Sequence, residues 1–305
     1  MTSKHAPIAV FAYNRPDHLD GTLRSLVACD GADASPITVF IDGQKEPAST
    51  DVTEQVRKVA SDVLGTNADI RVASANLGLS KSILSGVGNL IDKNGRVIVV
   101  EDDLILAPAF LNFMNSALER YSSLENVYQI SGHMFDVREF ADRQDALFLP
   151  LTTTWGWATW GRAWKSFDAT ATGWQHLRQD RQLRRRFDLD GAYPYTWLME
   201  RQQQGQSDSW GIRWYWSVFR RGGVSLFPPV SLVGNTGQDG SGTHGRGVMA
   251  DFKLKGGRAA PMPPKLPEDV TVRKEDFTLV KNTIWRQNGG WRGWSINQLR
   301  QWIGI

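Results

Sequence analysis

The sequence predicts an α/β protein with a mainly parallel central sheet flanked by helices. One observation carries that expectation: strand and helix signals alternate through about the first 130 residues. "PIAVFAY" reads as the first strand, Ile8 to Tyr13. Leu19, Leu23, Leu26 and Val27 follow at helical spacing, with Pro16 near the first turn, where a missing N–H costs little. "ITVFID" is a second strand, ending in Asp42-Gly43. From Thr50 to Leu64, Val52, Val56, Val59 and Val63 share one helical face. "IRVAS" is a third strand and "NLGLSKSILSGVGNLI" the helix after it. "RVIVVEDD" is the fourth strand, and "PAFLNFMNSALERY" the next helix.

Beyond about residue 145 the character changes. "LFLPLTTTWGWATWGRAWKSFD" is apolar and aromatic without clean periodicity. Arg178 to Phe187 is a basic helical stretch, and Tyr193 to Gln204 and Trp210 to Arg221 read as further helices. "GGVSLFPPVSLVGNTGQDGSGTHGRGVMADF" reads mostly as loop. Nine of the 13 tryptophans lie between Trp155 and Trp216, and most of that block is expected to be core.

Composition excludes several classes. A net charge of +3 is too mild to indicate nucleic acid without a concentrated patch. The single cysteine, Cys29, excludes an internal disulfide framework and reads as a reduced core residue. No signal-peptide pattern or run of eighteen apolar residues is present, so a cytoplasmic chain is expected.

In an open α/β sheet, ligands bind beyond the carboxyl ends of the strands. Four consecutive ends here carry Tyr13-Asn14-Arg15, Asp42-Gly43, Asn76-Leu77-Gly78 and Glu101-Asp102-Asp103. One strand-end Asp or Asn reads as a cap or turn former, but four favour a shared crevice. Three adjacent carboxylates repel unless something positive compensates them. A hard cation such as Mn2+ or Mg2+, shared with phosphate oxygens, meets that need, and these residues alone do not rank the three acids. No zinc-type cluster, GxxxxGK[ST] or GxGxxG after the first strand is present.

Taken together, "AYNRP", the "ID" strand end, "NLGLSKSI" and "VVEDDLILAPAF" resemble a glycosyltransferase of the GT-A fold. The acidic run is similar to the metal motif of N-acetylglucosaminyltransferase I, and "TTTWGWATWGRAW" resembles bacterial sugar transferases related to glycosyltransferase family 2. The resemblance spans roughly residues 7 to 245. It implies a nucleotide-sugar-binding half at 1–132, an acceptor-binding and catalytic half at 133–250, and a C-terminal extension at 251–305 with an amphipathic segment. It also implies that Ala12, Tyr13, Asn14 and Arg15 line the base and ribose, and that Asp42 accepts a hydrogen bond from the base. Asn76, Gly78 and Lys81 would approach the ribose, diphosphate or donor sugar. Asp103 would ligate the metal, with Glu101 and Asp102 on sugar or ribose hydroxyls.

The resemblance further implies a general base near the start of a helix in the second half. Asp208 in "GQSDSWGIRWYW" is the best match, with Glu200 second; the simpler role for Asp208 is a helix N-cap. His244 in "GSGTHGRG" would reach the metal or diphosphate, with Arg246 beside it on a closing loop. Trp155, Trp157 and Trp210 are the acceptor candidates, because aromatic faces stack on sugar rings.

The expected activity is metal-dependent transfer of a sugar from a nucleotide diphosphate, UDP favoured, to a saccharide or glycolipid hydroxyl. The geometry is expected to be inverting and the pathway bacterial surface polysaccharide or glycolipid assembly. A nucleotidyltransferase acting on a sugar phosphate and a non-catalytic carbohydrate-binding protein are the alternatives. The basic run Arg178 to Arg186, with Trp291, Arg292, Trp294, Arg300 and Trp302, leaves open peripheral contact with an anionic bilayer.

Overall fold

The first half folds as expected in a computed structural model that describes residues 5–45, 50–65, 68–237 and 263–290. β1 (Ile8–Ala12), α1 (Pro16–Val27), β2 (Ile37–Ile41), α2 (Thr50–Leu64), β3 (Asp69–Val72), α3 (Leu79–Asn94) and β4 (Arg96–Glu101) alternate in order. A short β5 (Leu104–Leu106) and α4 (Phe110–Arg120) follow. The second half comprises β6 (Val127–Ser131), β7 (Leu147–Leu149), β8 (Trp157–Trp160), α5 (Gly161–Trp164), α6 (His176–Gln179), α7 (Arg181–Phe187), α8 (Tyr195–Gln203), α9 (Trp210–Phe219), β9 (Val224–Phe227) and β10 (Val233–Asn235). α10 (Lys274–Gln287) comes last among the described residues.

Eight strands form one sheet in the order β3-β2-β1-β4-β8-β6-β9-β7. β3, β2, β1 and β4 are mutually parallel, β8 enters antiparallel between β4 and β6, and β7 closes the far edge antiparallel to β9. The fold class is the predicted one, an α/β protein with a mostly parallel, mixed sheet. The sheet is continuous across residue 132: β8, β9 and β7 from the later half extend the surface that β1 to β4 begin.

The strands that sequence periodicity did not reveal lie in the second half. β7, β8 and β9 are buried at every position, so they carry no alternation of apolar and polar residues. β9 and β10 lie within the stretch read as loop. The basic stretch divides into α6 and α7 at Asp180, whose carboxylate accepts the N–H groups of Gln182 (2.8 Å) and Leu183 (3.0 Å). Several of its arginines have partners: Arg178 meets Glu200 at 2.8 Å and Arg185 meets Asp190 at 2.9 Å.

The tryptophan block is mainly structural. Trp157 is fully buried and stacks on Trp210 at 5.1 Å, with Trp214 and Trp164 packed around them. Trp157 and Trp210 are therefore core residues and offer no face to an acceptor, which corrects that expectation for both. Trp155 behaves differently. Gly156, at φ +58°, turns the chain between them, and Trp155 stays half-buried at the surface.

Part of the C-terminal extension joins the body. Val280 and Ile284 of α10 enter a second apolar cluster with Phe187, Tyr215 and Trp216, and Arg143 pairs with Asp276 at 2.8 Å. The terminal aromatic and basic segment from Trp291 to Trp302 lies outside the described residues. Among the described residues, no helix is long and apolar enough to cross a membrane. Cys29 is buried as expected, and burial pushes its thiol up to about 12.

Truncating Trp157 to Ala removes the centre of the stack and opens a cavity between β8 and α9. The expected cost is about 3–5 kcal/mol, read as a drop in the denaturant midpoint.

Candidate active site

Parallel register aligns Ala12 with Ile41, Ile41 with Val72, and Phe11 with Glu101, so four strands deliver their carboxyl ends to one edge. There the loops collect into two polar clusters, and a third group arrives from the second half.

The first cluster is the acidic turn between β4 and β5. Its compensating charge is Arg15, at the entry to α1. Arg15 Nη2 donates to Asp102 Oδ1 and, at 3.0 Å, to Asp103 Oδ2. Burial opposes the Arg15 charge, but the two carboxylates outweigh it and hold the guanidinium above its usual range. Asp102 is buried, and its second oxygen accepts the Tyr13 N–H at 3.3 Å. Both Asp102 oxygens have protein partners, Arg15 and the Tyr13 N–H, so it braces the turn. Arg15 likewise serves the acidic turn rather than only lining a base.

The backbone of the turn is fastened as well. Thr22 of α1 donates to the Asp102 carbonyl at 2.7 Å and accepts the Leu104 N–H at 3.1 Å. Thr236, just past β10, donates its N–H to the Asp103 carbonyl at 2.8 Å. Gly237 then passes so close that a Cβ there would overlap Asp103. Burial first, then Asp103 and Asp102, pushes Glu101 up to about 8. Burial also raises Asp102, with Arg15 opposing.

Asp103 keeps capacity for a cation. Its Oδ2 meets Arg15, while its Oδ1 receives only Asn235 Nδ2 at 3.5 Å, the limit of a hydrogen bond. No group of three His, Cys, Asp or Glu that could hold a metal is present among the described residues. A hard divalent ion at this turn would rest on the Asp103 carboxylate, with its remaining oxygens supplied by ligand and water.

The second cluster is built on Asp42. Its Oδ1 accepts the N–H groups of Gly43 (2.9 Å) and Leu77 (2.8 Å). Its Oδ2 accepts the Gly78 N–H (2.9 Å) and Asn76 Nδ2 (3.2 Å). Four donors use the capacity of a carboxylate. Asp42 thus has none left for a nucleobase, which corrects that expectation; it instead fixes the loop that opens α3. Gly78 caps α3 at φ 78°, ψ 157°, a backbone state that favours glycine. Lys81 is exposed in the first turn of α3, and Asn14 is exposed beyond β1.

Asp208 joins this loop from the second half. A Cβ on Gly78 would lie 4.0 Å from Asp208 Oδ2, so the carboxylate stands beside the N-terminus of α3, where the helix dipole favours negative charge. The N-cap of α9 is Ser209, which accepts the Ile212 N–H at 3.3 Å, so Asp208 is free of that simpler role. Its partner is Arg213, which donates Nη2 to Asp208 Oδ1 at 2.9 Å and to Ser80 on α3. The Asp208 side chain is 60% exposed, the Arg213 side chain 11%. Glu200, the second candidate base, is paired with Arg178 instead.

A cavity of about 210 Å³ opens beside α9, with Trp155, His133, Thr154, Tyr193 and Ser209 among its walls. Burial drives His133 down to about 3, so its ring is neutral. Sequence reasoning missed His133, Arg213 and Thr22. For Thr22 a signal existed: a hydroxyl on the face of α1 that Leu19, Leu23 and Leu26 bury. His244 and Arg246 lie outside the described residues.

No protein-family model matches the chain. Partial similarity to solved structures is found. A mannosyltransferase from Pyrobaculum calidifontis in complex with GDP-Man and Mn2+ matches at 13% identity and TM-score 0.36, over 52% of this chain and 46% of that one. The galactosyltransferase LgtC, in complex with donor and acceptor sugar analogues, matches at 15% identity and TM-score 0.34, over 57% of this chain and 65% of that one. Glucosyl-3-phosphoglycerate synthase from Mycobacterium tuberculosis, in complex with Mn2+, UDP-glucose and phosphoglyceric acid, matches at 11% identity and TM-score 0.32, over 54% and 59%. The chain thus spans between about half and two thirds of the length of these structures.

Replacing Asp42 by Ala strands three backbone N–H groups and is expected to cost about 2–4 kcal/mol. Hydrogen exchange should show the loss as faster exchange at Gly43, Leu77 and Gly78. His133 has a folded pKa below its unfolded value, so the stability that depends on its neutral ring is complete above about pH 6.5 and drains away as pH falls toward 3. In melting curves from pH 7 to 4, His133→Gln should lose less stability on acidification than the parent chain.

Proposed function

We propose that this chain is a GT-A-type glycosyltransferase that moves a sugar from a nucleoside diphosphate, UDP favoured, to a hydroxyl acceptor. One observation carries the reading. The acidic turn of β4 and the Asp42-pinned loop of α3 share one sheet edge, and Asp208 is brought against that loop from the other half. A site of this kind needs an anion-holding side and a base side, and the two halves of the chain provide one each.

On the donor side, Asp103 would hold Mn2+ or Mg2+, whose charge offsets that of the departing diphosphate. Arg15 Nη1 is buried without an acceptor among the described residues, a costly state that a ligand oxygen relieves. Lys81 and the N-terminus of α3 add positive potential on the same edge. Tyr13 and Asn14, beyond β1, and the Asn76–Gly78 loop are positioned to border the nucleoside.

On the acceptor side, Asp208 takes the proton from the attacking hydroxyl while the oxygen approaches the anomeric carbon from the face opposite the leaving group, which inverts the configuration. Arg213 orients that carboxylate and, through Ser80, keeps α9 registered against α3. A hexosyl or N-acetylhexosaminyl unit and a bacterial surface saccharide or glycolipid acceptor complete the reading.

Thermal-shift screening with UDP, GDP and dTDP should raise Tm for one of them, and only with Mn2+ present. If no diphosphate shifts Tm at millimolar concentration, the donor reading is wrong. Asp208→Asn is expected to lower turnover by about 100-fold or more while that nucleotide-dependent shift persists. Near-normal turnover in this variant would remove Asp208 from the base role.

A further inference from the structure

The cavity beside α9 is separate from the two strand-end clusters but physically connected to both. Its wall includes Ser209, so along the chain it lies one residue from the candidate base Asp208. Its other link is β10. Ser231, just before β10, meets His133 Nδ1 at 3.3 Å, and Thr236, just after it, binds the Asp103 carbonyl. The five steps of chain from Ser231 to Thr236 span no more than roughly 18 Å, which bounds how far the His133 end of the cavity lies from the acidic turn.

The wall is built to keep its shape. Gln129 of β6 is fully buried; it donates Nε2 to the Thr153 carbonyl at 2.6 Å and accepts Trp214 Nε1 at 2.6 Å. Thr153 also bonds Ser131 through its hydroxyl, which ties the Thr152–Trp155 segment to the end of β6. Trp155 is held edge-on against His133 at 4.6 Å between ring centres. The first turn of α9 approaches closely enough that a Cβ on Gly211 would lie 2.9 Å from Thr154.

The chemistry of the lining is consistent throughout. Aromatic residues (Trp155, Tyr193, Tyr195) stand among threonine and serine hydroxyls and the aliphatic Leu198 and Ile212, and among the described residues no Asp, Glu, Lys or Arg side chain contributes to it. Aromatic faces suit the C–H faces of a pyranose, and hydroxyls suit its edges. A carboxylate or phosphate on the ring would be desolvated there without a counter-ion, at considerable cost. We propose that this cavity is the acceptor subsite and that it takes an uncharged pyranose ring stacked on Trp155, excluding acidic sugars. The proposal rests on the glycosyltransferase reading, since it gives the ring a hydroxyl to present to Asp208.

Saturation-transfer NMR on the full chain, with Mn2+ and the nucleoside diphosphate that stabilises it, tests this directly. The probes are methyl β-D-glucopyranoside and methyl β-D-galactopyranoside, compared with methyl β-D-glucopyranosiduronate, whose ring differs from the first only by a carboxylate. At least one neutral glycoside should bind about tenfold or more tightly than the uronate. Binding should be lost in Trp155→Ala and retained in Trp155→Phe. Equal binding of neutral and acidic rings, or undiminished binding in Trp155→Ala, overturns the proposal. The wild-type comparison needs no variant to fold. If the nucleotide still shifts Tm but neither neutral glycoside binds, the cavity proposal fails alone; if the nucleotide shift is also absent, the donor reading fails with it.

Discussion

The acidic turn after β4 is tolerated because Arg15 neutralises it from a different strand end. Two adjacent aspartates, one of them buried, would be self-repelling and poorly solvated without that guanidinium. Much of the crevice depends on this one interaction. It joins the β1–α1 loop to the β4–β5 turn, leaves Asp103 with one lightly engaged oxygen, and sets the floor over which Gly237 passes. Thr22 and Thr236 hold the backbone of the same turn from opposite sides. The charge pattern and the backbone geometry therefore support one another.

The carboxylates of the crevice divide into two kinds. Asp42 and Asp102 are buried and partnered; they shape loops, and Asp42 has no acceptor capacity left for a ligand. Asp103 and Asp208 are the more exposed, with side chains 16% and 60% accessible, and each meets a single arginine. Burial costs a charged group solvation that only fixed partners replace, so a fully partnered carboxylate is structural by construction. Asp103 and Asp208, which keep free oxygen capacity, come from opposite halves of the chain.

The tryptophan block shows a similar division. Trp157, Trp164, Trp210 and Trp214 pack into one aromatic mass behind β8, whereas Trp155 is turned outward by the positive φ of Gly156. The mass gives α9 a rigid seat. α9 in turn carries Ser209 at its cap and Arg213 one turn on, so the position of Asp208 is set by packing as much as by its own ion pair.

Alternating apolar strands and amphipathic helices were enough to determine the parallel half, because each element there declares its period locally. Polar residues at four successive strand ends gather at one edge of the sheet, since parallel strands deliver like ends to one edge. The second half was less legible. β7, β8 and β9 are buried on both faces and carry no alternation, so only their pairing in the sheet identifies them. The roles within the crevice were also decided in three dimensions. Residue type alone could not say that Asp42 spends all its capacity on Gly43, Asn76, Leu77 and Gly78, or that Trp157 and Trp210 face each other. The charge that Glu101, Asp102 and Asp103 require is legible in the sequence. That Arg15, nearly ninety positions earlier, supplies it depends on β1 lying beside β4, a long-range contact that no local pattern encodes.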